Sequence, residues 1–158
     1  MKKRDWIRVL SRIAFLIYML VLVYFLLLSD GFGRTMRRED FQFNLIPFVE
    51  IIRFVKYREY IGFYNVMINL VGNVVAFIPF GALIRFVVNH SVRWYHVMGY
   101  TILFSLSVEL LQLVAKVGSF DVDDLILNTL GGVLGYVVYY FLRWLDQQMD
   151  ARKQKRSE

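Results

Sequence analysis

SFDVDDLILNTLGGVLGY, residues 119–136, places Asp121, Asp123 and Asp124 at the mouth of an apolar run. It then carries Asn128 and the glycines Gly131, Gly132 and Gly135 into that run. Carboxylates beside so oily a segment are expensive if it lies in lipid, so each needs a partner or a task. The surrounding chain decides whether it lies in lipid and what can answer the acids.

Composition points to a membrane. Hydrophobic residues make up 58% of the 158 and charged residues only 20%, with a mean hydropathy of +0.47. Ordinary soluble domains are nearer half apolar. No cysteine is present, which excludes a disulfide framework and a thiolate metal site. The net charge of +6 would suggest nucleic acid in a soluble protein. Here most basic residues flank apolar runs, where they act as topology signals and headgroup anchors, so no nucleic-acid partner is expected.

Working outward, the fourth span covers about residues 124–145, followed by a polar, basic tail over 146–158, helical at first and then frayed. Upstream, the third span is about 94–115 and carries Ser105, Glu109 and Gln112 on one helical face. The second, about 61–84, has Asn65, Asn69 and Asn73 at every fourth residue, hence on one stripe. Pro79 and Gly81 predict a kink near its far end. At the amino terminus Ile13–Leu28 has no charge. With Arg8 and Arg12 snorkelling, a span over 7–28 reaches ~30 Å. No small-residue cleavage signature follows Leu28, so this segment is read as a retained span and not a signal peptide.

Between the first two spans, Pro47 suits a first helical turn, and Phe48, Ile51, Ile52 and Val55 share one face. That pattern predicts a short helix, either lying in the interface or re-entrant. The fold class is an all-α integral membrane protein: one domain, residues 1–158, with four transmembrane helices.

Basic residues set the orientation. Lys2, Lys3, Arg4, Arg8 and Arg12, then Arg85 and Arg93, then the tail cations lie on one side, which reads as cytoplasmic. The cations of the first loop, Arg34, Arg37, Arg38, Arg53, Lys56 and Arg58, are the exception. Both termini are therefore expected inside, in a multi-pass protein of the cell membrane. Following each span's direction then puts Asn65, Asn69, Asn73, Glu109, Gln112, Asp121, Asp124 and Asn128 in the outer half. Asn44 sits in the outer loop. Agreement in depth among separate segments predicts a polar pocket opening toward the outer leaflet.

Individual residues carry competing readings. Glu109, an ionisable group inside a span, needs a partner and is a candidate acid or base with Asp124. Burial should favour its protonated form. Asp121 and Asp123 both suit a helix cap, with Asp123 facing water. Asp124 and Asn128, on one side of the helix, are site candidates. The asparagine stripe serves either a site or interhelical hydrogen bonding. Gly131 and Gly135 form a small-xxx-small pair that packs helices and could join two copies. His90 and His96 lie by the cytoplasmic turn, away from the acids, so no nucleophilic triad is expected. Glu109, Asp121 and Asp124 are hard oxygen donors. An oxygen-only set has no diagnostic spacing, and neither metal nor cofactor is expected.

The spaced motifs NLIPF (Asn44–Phe48), N-x3-F-x-PFG (Asn73–Gly81), S-x3-E-x2-Q (Ser105–Gln112) and FDVDDLILNTLGGVLGY together resemble the VanZ-like family of small bacterial membrane proteins. The resemblance covers almost the whole chain in the family's order. It implies a four-span fold and a role at the cell envelope, with lowered susceptibility to teicoplanin and related lipoglycopeptides. The family's pattern has an arginine shortly before the FD pair. Here Val117, Gly118 and Ser119 stand there, with Lys116 upstream, so Lys116 or a first-loop arginine would take that place. The partner expected for the pocket is a membrane lipid or lipid-linked cell-wall precursor. Two alternatives stand beside binding: an intramembrane enzyme using Glu109 and Asp124 as acid and base, and a small transporter or flippase.

Overall fold

Four apolar stretches become four long helices. The structure, a computed structural model, describes residues 3–28, 41–88 and 91–157. Among the described residues α1 (Lys3–Leu28), α4 (Phe63–Val87), α5 (Trp94–Ala115) and α6 (Val122–Ser157) are long and apolar enough to cross a membrane. Between α1 and α4 lie a two-residue strand β1 (Phe43–Asn44) and two short helices, α2 (Val49–Lys56) and α3 (Arg58–Ile61). A second two-residue strand, β2 (Phe120–Asp121), leads into α6. The chain is therefore an all-α membrane bundle, as its apolar periodicity requires. The first-loop charges Asp30, Arg34, Arg37, Arg38, Glu39 and Asp40, and His90, lie outside the described residues.

The bundle is assembled on the α4–α6 pair. A Cβ added to Gly131 would sit 2.1 Å from the Val74 carbonyl oxygen, and one on Gly135 would sit 2.0 Å from that of Ile78. From the other side, a Cβ on Gly81 would meet the Gly132 carbonyl oxygen at 1.8 Å. Only glycine lets two parallel helix backbones approach this closely, and in lipid such close van der Waals contact is what associates helices. These contacts correct one expectation. Gly131 and Gly135 face this chain's own α4, so their surface is not open to a second copy.

α5 closes on the pair through Thr101, fully buried against Gly132, and through aromatic packing of Phe104 on Phe80 at 5.4 Å. Phe77, Val97 and Val108 complete this core. α1 adds Leu22 and Leu26 and donates the Tyr18 hydroxyl to the Ala76 carbonyl, three residues before Pro79. α4 runs unbroken through Pro79. The opposite face of α1, with Leu10, Leu16, Ile17 and Leu20, is exposed and turned toward lipid.

The tail differs from the frayed end expected of it. α6 continues to Ser157, a 36-residue helix. At 1.5 Å per residue it is ~54 Å long, well beyond the ~30 Å hydrocarbon layer.

Gly131→Val should force α4 from α6 and lower stability by about 1–3 kcal/mol, the usual cost of overpacking. The check is the detergent melting temperature, which should fall; an unchanged value would mean the helices are not in contact there.

Candidate functional site

The site begins where α5 ends. Lys116 adopts the left-handed conformation (φ 57°), and the Val117 amide donates to the Gln112 carbonyl at 3.0 Å, which turns the chain sharply. Buried Gly118 packs against the Gln112 side chain. The chain then runs into β2, which pairs in parallel with β1, Phe43 opposite Phe120 and Asn44 opposite Asp121. Parallel strands need a long crossover. Here α2 to α5 supply it, and the segment 41–48 that leads into α2 is thereby brought to the mouth of α6.

Asp123 fixes that segment. Its carboxylate accepts from the Phe48 amide, from Glu50 N at 2.8 Å and from Ile51 N at 3.1 Å. Phe48 (φ 70°) turns the chain into α2, whose own residues provide no side-chain cap. The first amides of any helix lack internal partners and carry partial positive charge. A carboxylate from α6 satisfies them from outside the segment. This overturns the expectation that Asp123 faces water: it is 1% exposed. The physical reason is that α2 presents the donors a buried carboxylate needs. α2 is thus a shallow eight-residue arm, about 12 Å long, pinned to the end of the bundle.

Around this anchor the other acids are also answered. Asp121 Oδ1 accepts from Asn44 Nδ2 at 3.0 Å and from the Asp123 amide at 2.8 Å. The Asp121 amide donates to Glu109 Oε2 at 3.0 Å. Glu109, 2% exposed, therefore has the partner its position demanded. Asn73 Nδ2 donates to Asp124 Oδ1 at 2.6 Å. One turn deeper, Asn128 donates to Ser105 Oγ at 2.8 Å. Gln112 Nε2 donates to the Leu26 carbonyl at 2.7 Å and so ties α5 to α1.

Asn44, Asn73, Glu109, Gln112, Asp121, Asp124 and Asn128 are thus drawn into one polar end of the bundle. Asn65 and Asn69 are not. Their amides donate to Ile61 and Asn65 carbonyls of their own helix, at 2.9 and 2.8 Å, and Asn65 is exposed. Much of the polarity is answered within the protein. Two buried acceptors are not: Gln112 Oε1 and Asn128 Oδ1 have no hydrogen-bond partner. Buried polar atoms are rarely left so, and both suit a water or a ligand donor. Among the described residues, no three His, Cys, Asp or Glu side chains are grouped to hold a metal ion.

One cation beside these acids is Arg53. It pairs with Glu50 at 2.5 Å, and its charge also reaches Asp121. Lys116, the other residue considered for that place, has its ammonium 5.2 Å over the Phe41 ring. His96 lies at the opposite end, where Nδ1 accepts from the Arg93 amide. Thr101 and Asp123 are the residues that sequence reasoning missed. For Thr101 the signal was present: it stands four residues before Ser105 on the same polar face of α5.

Burial pushes the Asp121 carboxyl above its ordinary range, partly opposed by donation from the Asp123 amide and Asn44. Burial raises Glu50 as well, against the pull of Arg53.

The fold and site define a small polytopic membrane protein with a polar end and a docked amphipathic arm. Residues 15–143 match the VanZ/LLP1 family model, and the chain belongs to that family. It is 28% identical over 135 residues to Protein VanZ of Enterococcus faecium, covering 84% of this chain and 74% of that protein. No solved structure matches the chain.

A carboxyl whose folded pKa is raised binds more protons folded than unfolded, so its contribution to stability grows as pH falls through the folded value. Asp121→Asn keeps an acceptor oxygen and removes the buried charge. It should melt at least as high as wild type at pH 7.5, with the gap closing as the pH falls. A gap that widens on acidification, in thermal unfolding of the detergent-solubilised protein, would contradict the burial argument.

Proposed function

We propose that this VanZ-family envelope protein lowers susceptibility to teicoplanin and related lipoglycopeptides by holding a lipid or lipid-linked cell-wall precursor at its polar end. The termini then lie in the cytoplasm and the acids near the outer leaflet, as the basic flanks favour. One observation carries the reading. The polar cluster of Asn44, Asn73, Glu109, Asp121 and Asp124 stands beside an arm whose Ile46, Phe48, Ile52 and Val55 are exposed. Exposed Arg53, Lys56 and Arg58 interleave with them. An amphipathic arm of this kind lies in the interface. Polar groups next to it meet a headgroup while the apolar side chains meet its tail.

Chemically, the arrangement favours binding. Glu109 accepts a backbone amide and Asp124 accepts the Asn73 amide, so each is held in an acceptor role. Gln112 Oε1 and Asn128 Oδ1 supply open acceptors for hydroxyl or amide donors.

Expression in a susceptible Gram-positive host tests the reading. Wild type should raise the teicoplanin inhibitory concentration. Glu109→Gln and Asp124→Asn should return it toward the empty-vector value at equal membrane abundance, with precursor masses unchanged. Susceptibility equal to empty vector with wild type in the membrane would remove the resistance reading, and an altered precursor mass would favour the intramembrane enzyme.

A further inference from the structure

The end of the bundle opposite the acids holds a second constellation, built from three helices. Arg85 is in the last turn of α4, Arg93 is the residue before α5, and Arg143 is on α6. All three charges act on one tyrosine pair of α6. Tyr136 feels Arg85 and Arg93, and Tyr140 feels Arg85 and Arg143. The two rings lie 4.6 Å apart. Arg12 of α1 joins the same end, donating Nε to the Phe86 carbonyl at 3.2 Å.

Arg85 is the centre. Its guanidinium lies 4.0 Å over the Tyr139 ring and 5.3 Å from that of Tyr140. Nη1 is buried with no hydrogen-bond acceptor. Among the described residues no acid forms an ion pair with Arg85, and the Arg53–Glu50 pair lies at the other end. Asp146 and Asp150, farther along α6, form no ion pair with Arg93 or Arg143. Holding the Arg85 guanidinium on aromatic faces inside a bundle is costly unless an anion completes the set.

The anion that fits is set by the surroundings. Trp94 and Tyr95 are exposed at this level, as in an interfacial belt. Val137, Val138, Phe141 and Leu142 line the exposed surface of α6 alongside. A ligand here meets planar cationic forks and a tyrosine hydroxyl at its head, and apolar side chains along its length. Arginine forks match phosphate oxygens, and basic pockets between membrane helices take anionic lipid headgroups. We infer that Arg85, Arg93, Arg143 and the Tyr136–Tyr140 pair form a binding site for the phosphate of an anionic membrane lipid, separate from the acid-lined end.

Native mass spectrometry of the purified full chain tests this, with phosphatidylglycerol and phosphatidylcholine offered at equal concentration. Phosphatidylglycerol should be retained preferentially. Each of Arg93→Gln and Arg143→Gln, both at exposed positions, should cut that retention roughly fivefold, as expected for one basic residue near a charged lipid surface. The double variant should cut it further. A charge-matched control, Arg152→Gln with Lys153→Gln on the exposed tail, should retain phosphatidylglycerol like wild type. Glycerol phosphate, offered alone, should not compete. Equal retention of the two lipids, or the same loss in the tail control, would overturn the site. Competition by glycerol phosphate at the lipid's own concentration would overturn its assignment to a lipid.

Discussion

The contact on which the rest of this structure depends is a carboxylate closing the free end of a helix that is distant in sequence. Asp123 lies 75 residues from Phe48, yet it receives the Phe48, Glu50 and Ile51 amides. A charge this deeply buried would be untenable alone, and an eight-residue helix would not persist alone either. Together they solve both problems. Hydrogen bonds to a charged acceptor contribute about 1.5–3 kcal/mol each, enough to hold the arm against its own entropy. Once the arm is docked, β1 meets β2, Asn44 meets Asp121, and the Asp121 amide meets Glu109.

That docking is possible because the helices behind it sit so close. Gly131 and Gly135 bring α6 onto α4, and Gly132 admits Thr101 of α5. At this separation Asn73 reaches Asp124, and Asn128 reaches Ser105. Packing and polarity therefore belong to one design. Small residues give up side-chain volume at mid-bundle, and the proximity so gained lets short polar side chains satisfy one another nearer the end.

Much of this was legible in the sequence. Apolar runs of spanning length gave the four long helices, and each helix's direction fixed the depth of its polar residues. On that ground Glu109, Gln112, Asp121, Asp124 and Asn128 were placed together, and the structure has them at one end of the bundle. Asp123 was not placed with them, because its role depends on amides supplied by another element. Read on its own helix, it lies off the Asp124–Asn128 side and looks solvated. Asn65 and Asn69 stand apart from that cluster for the opposite reason. Periodicity put them on the face of Asn73, but on the first turns of α4 their amides fold back onto the helix's own carbonyls. The glycines were recognised as packing residues, while which helix they packed against was a tertiary fact.

The most direct measurement is amide hydrogen exchange at Glu50 and Ile51, in the protein reconstituted in lipid nanodiscs, compared between wild type and Asp123→Ala. The first amides of an uncapped helix exchange freely. If Asp123 holds the arm, both should be protected in wild type and lose that protection in the variant, while amides in the middle of α4 stay unchanged. Fast exchange at both positions in wild type, or equal protection in the variant, would contradict the account.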